Sequence, residues 1–206
     1  MIKKYWGIRY FNSKLKQQLR LKKDPTLPWL PYETIRFLDQ YLKNTDVMLE
    51  TGSGRSTIWF AQRTQKVVSI EHDEGWFNIC KEKLGKAGLK NVEYFLENRG
   101  ENINPSASPY VQRVKAMADH SFDFILVDGK LRSTIALISL DKVKNGGLIS
   151  IDNIERELYL PAFSLPDSLT SSSPVRPEWK TFLERTANNR KVVLSDGITA
   201  NMLVFM

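Results

Sequence analysis

Val47-Met48-Leu49-Glu50-Thr51-Gly52-Ser53-Gly54-Arg55-Ser56-Thr57 decides how this chain reads. A short apolar run ends in an acid, two glycines turn the backbone, and a helix opens at Ser56-Thr57-Ile58-Trp59-Phe60-Ala61. Nineteen residues after Gly52, a second apolar run, Val67-Val68-Ser69-Ile70, ends in Glu71. Strand, glycine turn, helix, strand, acid is the opening half of a nucleoside-binding α/β domain. Gly52 and Gly54 let the backbone approach a ligand with no Cβ between. The helix that follows presents free N–H groups and the positive end of its dipole.

The alternation continues outward. After a proline-punctuated connector at 24–31, Ile35, Leu38, Tyr41 and Leu42 recur at helical spacing, so a helix precedes the first strand. Strands are expected at about 47–50, 66–71, 92–96, 122–127 and 148–151, the last entered by a tight turn at Gly146-Gly147. Helices are expected at about 55–64, 74–86, 109–118 and 131–143, with loop at 98–106. Near-continuous apolar strands separated by helices require right-handed crossovers and a parallel sheet covered on both faces. The ending differs. A Ser/Pro-rich stretch at 161–177 and a helix at about 178–188 lead to two apolar runs, 191–195 and 199–205, around Asp196-Gly197, a hairpin signal. The expected fold is α/β: a three-layer, doubly wound, mainly parallel seven-stranded sheet that ends in an antiparallel hairpin. It forms one domain over residues 24–206, behind a basic amphipathic arm at 1–23.

The net charge of +7 belongs to that arm. Residues 1–23 carry eight Lys or Arg and no acid, which leaves 22 basic against 23 acidic residues, a net of −1, in the remainder. Tyr5, Trp6, Ile8, Tyr10, Phe11, Leu15 and Leu19 are interleaved with the basic residues. Such a segment suits a solvated arm folded over the domain or onto a partner subunit, as in a homodimer. It also suits the surface of an anionic membrane, and nucleic acid least. No apolar stretch approaches the roughly 20 residues needed to span a bilayer. One cysteine, Cys80, excludes an intrachain disulfide framework and a Cys-rich zinc site, and reads as a core residue of a helix. No apolar segment follows the basic N-terminus, so the expected compartment is the cytoplasm, with the inner face of a membrane as the alternative that the arm leaves open.

Every expected strand ends in a polar residue: Glu50, Glu71, Glu97-Asn98, Asp128 and Asp152-Asn153. Ligands of open α/β sheets bind beyond the carboxyl ends of the strands, where the strand order switches, so these residues mark one pocket. Each also has a plainer account. An acid at a strand end caps a helix or faces solvent, His72 is a surface histidine, Asn98 a turn residue, and His120 structural.

Glu50-Thr51-Gly52-Ser53-Gly54, the acid Glu71, Val127-Asp128-Gly129, and Gly146-Gly147 before Ile151-Asp152-Asn153 resemble the class I S-adenosylmethionine-dependent methyltransferases over roughly residues 30–206. The resemblance implies that Glu50, Gly52, Ser53, Gly54, Ser56, Thr57, Glu71, His72, Glu97, Asn98 and Asp128 hold S-adenosylmethionine. Glu50 would face its ammonium group, the helix N–H groups its carboxylate, and Glu71 its two ribose hydroxyls. His72 would lie at the adenine edge, and Glu97 and Asn98 would meet the adenine amino group. A narrower likeness is to the catechol-type O-methyltransferases, which hold a divalent cation with an acid after strand 4 and an Asp-Asn pair after strand 5. Asp128, Asp152 and Asn153 stand at the matching positions, and hard oxygens suit Mg²⁺, which would activate a bound hydroxyl. Their other reading is that Asp128 binds cofactor and Asp152-Asn153 cap a turn. The chain departs from that family at Leu131, where a lysine is expected, with Lys130 and Arg132 on either side. Asp128, Lys130 and Arg132 are therefore the candidate catalytic residues.

The basic rim of Lys130, Arg132 and Arg156 favours a small anionic or sugar-like acceptor with an oxygen or nitrogen nucleophile. The arm and the 161–177 loop are expected to shape its pocket. Asp128-Gly129-Lys130-Leu131 lacks the Pro-Pro-aromatic run of DNA adenine methylation, and Cys80 lies on the wrong element for methylation at a pyrimidine carbon. Two rival readings stay open. A nicotinamide-dependent oxidoreductase would have a third glycine in place of Thr57 and a substrate domain. A non-catalytic assembly protein would hold the cofactor without turnover, docked by its arm.

Overall fold

A computed structural model of the chain describes residues 8–24, 26–100, 104–162, 165 and 168–206. In chain order the elements are α1 (Ile8–Lys23), α2 (Tyr32–Tyr41), β1 (Val47–Thr51), α3 (Arg55–Ala61), β2 (Lys66–Glu71), α4 (Glu74–Lys86) and β3 (Val92–Leu96). Then follow α5 (Pro109–Lys115), β4 (Phe122–Val127), α6 (Arg132–Lys142), β5 (Val143–Asp152), α7 (Pro177–Arg185), β6 (Lys191–Ser195) and β7 (Ala200–Phe205). The seven strands form one sheet in the order β3-β2-β1-β4-β5-β7-β6. Strands β1 to β5 are parallel, and β7 runs antiparallel to both β5 and β6. The expected α/β architecture with its terminal hairpin is the one observed. Chain progression reverses between β1 and β4, which opens a crevice at their carboxyl ends.

The strand pleat sends alternate residues to opposite faces. Met48, Val67, Phe124, Leu126 and Leu148 pack with Ile35, Leu38, Trp59 and Phe60 from α2 and α3. Leu49, Val68, Ile125, Val127 and Ile149 pack with Val111, Val114, Ile135, Trp179 and Phe182 from α5, α6 and α7. Burial of one such large side chain stabilises by about 2 kcal/mol. Because both faces are covered, the strands read as continuous apolar runs instead of alternating ones.

Three features differ from the sequence reading. The helices α3, α5, α6 and α7 are each shorter than expected, since their last turns do not continue the periodic pattern. Strand β5 starts at Val143, and Gly146 and Gly147 lie within it; the pairing with β4 is irregular between Phe122 and Phe124. Gly146 has φ +79°, and a Cβ on Gly147 would stand 2.7 Å from Val143 Cγ2, so the two glycines make a kink inside the strand. Finally, the arm is helical from Ile8 to Lys23. Phe11, Leu15 and Leu19 face outward at 55–57% exposure. The opposite side meets the domain: the Arg20 guanidinium lies 3.6 Å from the Tyr32 ring centroid. Residues 1–7 of the arm, with Tyr5 and Trp6, lie outside the described residues. No helix among the described residues is long and apolar enough to cross a membrane.

Candidate functional site

The carboxyl end of β1 carries a buried acid. Glu50 Oε2 accepts hydrogen bonds from Thr57 Oγ1 at 2.5 Å and Ser69 Oγ at 2.8 Å. Its second oxygen, Oε1, is buried and has no hydrogen-bond partner. Burial pushes the carboxyl up to about 7, although hydroxyls of Ser56, Thr57 and Ser69 draw it back. Thr57 also accepts the Gly54 N–H at 3.0 Å, so this side chain ties the glycine turn to Glu50. Here is the physical role of the residue that stands where a third glycine would mark a dinucleotide site.

Gly52 has φ +89°, and a Cβ there would stand 2.7 Å from both Cα and N of Gly129. A Cβ on Gly129 would in turn collide with the Tyr110 hydroxyl. The loops after β1 and β4 therefore touch backbone to backbone, and Asp128 and Gly129 both donate N–H to Thr51 O, at 3.0 and 2.7 Å. Gly54 differs: its φ of 174° is ordinary extended backbone, and a Cβ would meet only van der Waals neighbours at 3.8 Å or beyond.

Glu71 at the end of β2 is engaged by its own loop and by Ser53 of the loop after β1. Oε2 accepts from Ser53 N at 2.9 Å and Ser53 Oγ at 3.0 Å. Oε1 accepts from the backbone N–H groups of His72 at 2.7 Å and Asp73 at 2.9 Å, and His72 Nδ1 lies 2.8 Å away. Burial opposes ionisation, but these donors outweigh it and hold the carboxyl down to about 2. Both oxygens are thus occupied, where the sequence reading left them open for two hydroxyls. Ser53 is fixed further by Tyr94 Oη at 2.5 Å and by Trp76 Nε1–H, which donates to Ser53 O at 2.6 Å. Trp76 stacks against Trp29 with centroids 6.4 Å apart. Tyr94, Trp76 and Trp29 carried no signal in the sequence beyond their aromatic character.

Glu97 and Asn98 stand apart. Glu97 Oε1 accepts from Arg113 Nε at 2.7 Å and also pairs with Arg113 Nη2. Asn98 is exposed and its Oδ1 accepts from Gly100 N at 2.7 Å, the geometry of a turn residue. Neither lines a cavity at this edge.

Past β4 and β5 the acids meet a cation. Leu131 takes a left-handed conformation, φ +55°, and starts α6 so that Arg132 turns back over Asp128. Arg132 Nη2 donates to Asp128 Oδ1 at 2.9 Å, to Asp128 O at 2.5 Å and to Asn153 Oδ1 at 3.2 Å. Asp152 is buried, and its Oδ1 has no partner. Burial raises both carboxyls; at Asp152 the neighbouring Asp128 charge adds to it, whereas at Asp128 the Arg132 charge opposes it. The pair therefore retains a proton that two separate carboxyls would lose. Lys130, the other expected cation, is exposed and lines neither cavity. Among the described residues, no three His, Cys, Asp or Glu side chains gather as a group able to hold a metal ion.

Two cavities open on this edge. One of about 590 Å³ is lined by Gly52, Ser53, Glu71, His72, Trp76 and Asp128. The other, about 460 Å³, is lined by Asp128, Asp152 and Asn153, by Lys14, Gln17 and Leu21 of α1, and by Ile198 and Thr199 of the terminal hairpin. Asp128 is common to both. Helix α1 of the arm borders the second cavity, whereas the described residues of the 161–177 loop are not in its lining. The hairpin turn, which the sequence reading used only for topology, takes that place.

This topology is that of the Rossmann-like methyltransferase fold. A candidate caffeoyl-CoA O-methyltransferase from Staphylococcus aureus superposes with a TM-score of 0.63 at 16% identity, covering 95% of this chain and 100% of the other. A candidate O-methyltransferase from Klebsiella pneumoniae gives 0.60 at 20% identity, covering 97% and 90%. A candidate methyltransferase from Streptococcus mutans in complex with SAH gives 0.55 at 12% identity, covering 87% and 99%. At these identities the likeness is one of fold. No family model matches the sequence, and no curated protein matches it.

Proposed function

We propose that the chain is an S-adenosylmethionine-dependent methyltransferase acting on an oxygen or nitrogen nucleophile of a small-molecule acceptor. The observation that carries this reading is Glu50 Oε1, a buried carboxylate oxygen without a partner at the switch point of the sheet, one layer beneath Gly52 and Ser53 of the larger cavity, which Glu50 itself does not line. Burying a carboxylate this way is costly unless a cation completes it, and the ammonium group of S-adenosylmethionine is such a cation. Gly52, Ser53, Gly54, Ser56 and Thr57 shape the turn around it. Glu71 acts through Ser53, His72 and the 71–73 backbone, which it holds in place beside the larger cavity. The smaller cavity takes the acceptor, and Asp128 stands at the junction that the methyl group must cross.

S-adenosylmethionine, held by the Glu50–Thr57 turn, would supply a methyl group for in-line displacement by the acceptor's lone pair, with sulfur keeping the bonding pair as a neutral thioether. The acceptor's proton passes to the ionised member of the Asp128–Asp152 pair. Alignment of the two reactants and exclusion of water supply most of the rate, since effective molarities of well-placed groups are very large. Lys14 and Arg132 beside this cavity favour an acceptor that is anionic or rich in hydroxyls.

The outward face of α1 bears Leu15 and Leu19 between the exposed Lys16, Lys22 and Lys23. An apolar stripe edged by lysines fits the headgroup region of an anionic bilayer, so we place the protein at the inner face of a membrane.

Calorimetric titration with S-adenosylmethionine, S-adenosylhomocysteine and NAD tests the cofactor. Binding of the first two and not of NAD is expected. Tight NAD binding with no response to either adenosyl ligand would return the chain to the oxidoreductase reading. Gly52→Val is unsuitable as a probe, because its side chain would strike the Gly129 backbone and damage the fold itself.

A further inference from the structure

We infer that the Arg132 guanidinium occupies the place of a divalent cation between Asp128 and Asn153, so that this centre works on an arginine and binds no metal ion. The inference rests on the methyltransferase reading above for its functional meaning, but its chemistry stands on the side chains alone. A catechol-type cation site would draw on Asp128, Asp152 and Asn153. One nitrogen of Arg132 already bonds two of those three ligands, at 2.9 Å to Asp128 Oδ1 and 3.2 Å to Asn153 Oδ1. Mg²⁺ binds such oxygens at about 2.0–2.1 Å and demands near-ideal octahedral geometry. It would have to enter the space held by the guanidinium and sit against its positive charge. The residues present therefore do not fit the metal.

Arg132 is also held where it is. The left-handed Leu131, φ +55°, sets it at the first position of α6, one turn past Asp128. A third bond, to the Asp128 carbonyl at 2.5 Å, fixes the same nitrogen. Its side chain is only 16% exposed. Leu131, the position at which the chain departs from the catechol-type pattern, is thus the hinge that brings the arginine in. Two atoms of the cluster remain buried and unpartnered, Arg132 Nε and Asp152 Oδ1. They offer one donor and one acceptor. A neutral hydroxyl or amine, each able to accept one hydrogen bond and donate one, matches that pair.

The test is titration of the full-length protein with Mn²⁺, followed by the electron paramagnetic resonance signal of the free ion. The wild type is expected to leave Mn²⁺ free. Arg132→Ala, which empties the centre, is expected to take up one ion per chain, an affinity gain of at least about tenfold. Adding Asp152→Asn to that variant should abolish the uptake. Saturable Mn²⁺ binding by the wild type that is lost in Asp152→Asn would overturn the inference outright. So would a folded Arg132→Ala protein that binds no ion. Arg132→Met, which keeps the aliphatic stem, replaces the alanine variant if that one does not fold. The titration contains no adenosyl ligand, so its outcome is independent of the cofactor measurement.

Discussion

Glu50→Gln should make the unliganded protein more stable at alkaline pH while it weakens the cofactor. The folded carboxyl titrates at about 7 against an ordinary value of 4.5. Between those values the folded chain keeps a proton that the unfolded chain has released. Stability therefore falls as pH rises through this window, and the loss is complete above 7. The gap of about 2.5 pH units amounts to about 3 kcal/mol. Glutamine cannot ionise and escapes that loss. Its amide would leave a buried, unpartnered NH₂ group at the position of Oε1, a cost of about 1 kcal/mol. The variant is thus expected to be about 1 kcal/mol less stable than wild type at pH 4.5 and about 2 kcal/mol more stable at pH 8. Urea unfolding across this range, without cofactor, measures both, and the difference between the two proteins cancels every other titrating group. The same substitution removes the partner of the ligand's ammonium, so S-adenosylmethionine should bind about 10- to 100-fold more weakly. Wild-type affinity should also rise with pH up to about 7, as the carboxyl loses its proton. Parallel stability profiles for the two proteins, or undiminished cofactor affinity in the variant, would refute the assignment of Glu50.

Glu71→Gln runs the other way. Its carboxyl is held down to about 2, so its contribution is full above 4.5 and is lost as pH falls toward 2. A destabilisation of about 3 kcal/mol at pH 7 that shrinks below pH 4.5 is expected in urea unfolding. Gly129→Ala pushes a methyl group into the Tyr110 hydroxyl and should cost about 2 kcal/mol or more. Tyr110→Phe should recover part of that cost, and strict additivity in a double-mutant cycle would show that the contact is not the cause. Leu15→Glu with Leu19→Glu should abolish co-sedimentation with vesicles containing phosphatidylglycerol and leave S-adenosylhomocysteine binding unchanged. If the wild type also fails to sediment, the outer face of α1 has no lipid role, and a change of mass in the variant on gel filtration would assign it to a second copy.

Strand positions were legible because their apolar runs are long and each ends in a polar residue. The turn from Glu50 to Gly54 was legible because it is chemically distinctive: two glycines between an acid and a helix start contribute no side chain to a core and open the backbone to close approach. What the sequence could not give is how each acid spends its lone pairs. Glu71 sits at the right distance from Gly52 for ribose recognition, yet backbone N–H groups one and two residues away claim one of its oxygens. Arg132 follows Asp128 by four residues, a spacing that suggests a pair. The reach to Asn153 depends on a left-handed Leu131, a conformation that sequence rules assign to glycine or asparagine. Gly146-Gly147 read as a turn because that is where paired glycines commonly fall. Residues 144–147 have no partners in the β4 ladder, and it is backbone hydrogen bonds of Gly146 and Gly147 with Met206 that keep the chain extended there.

Helix α1 gives the molecule an access problem with a physical answer. One side of this single helix is a wall of the cavity proposed to take the acceptor, through Lys14, Gln17 and Leu21. Its other side is open to whatever binds Leu15 and Leu19. A rigid rod transmits displacement across its own width of about 10 Å, so anchorage on the outside and admission on the inside cannot be adjusted separately. On the proposed reading, substrate entry becomes a property of where the protein is moored.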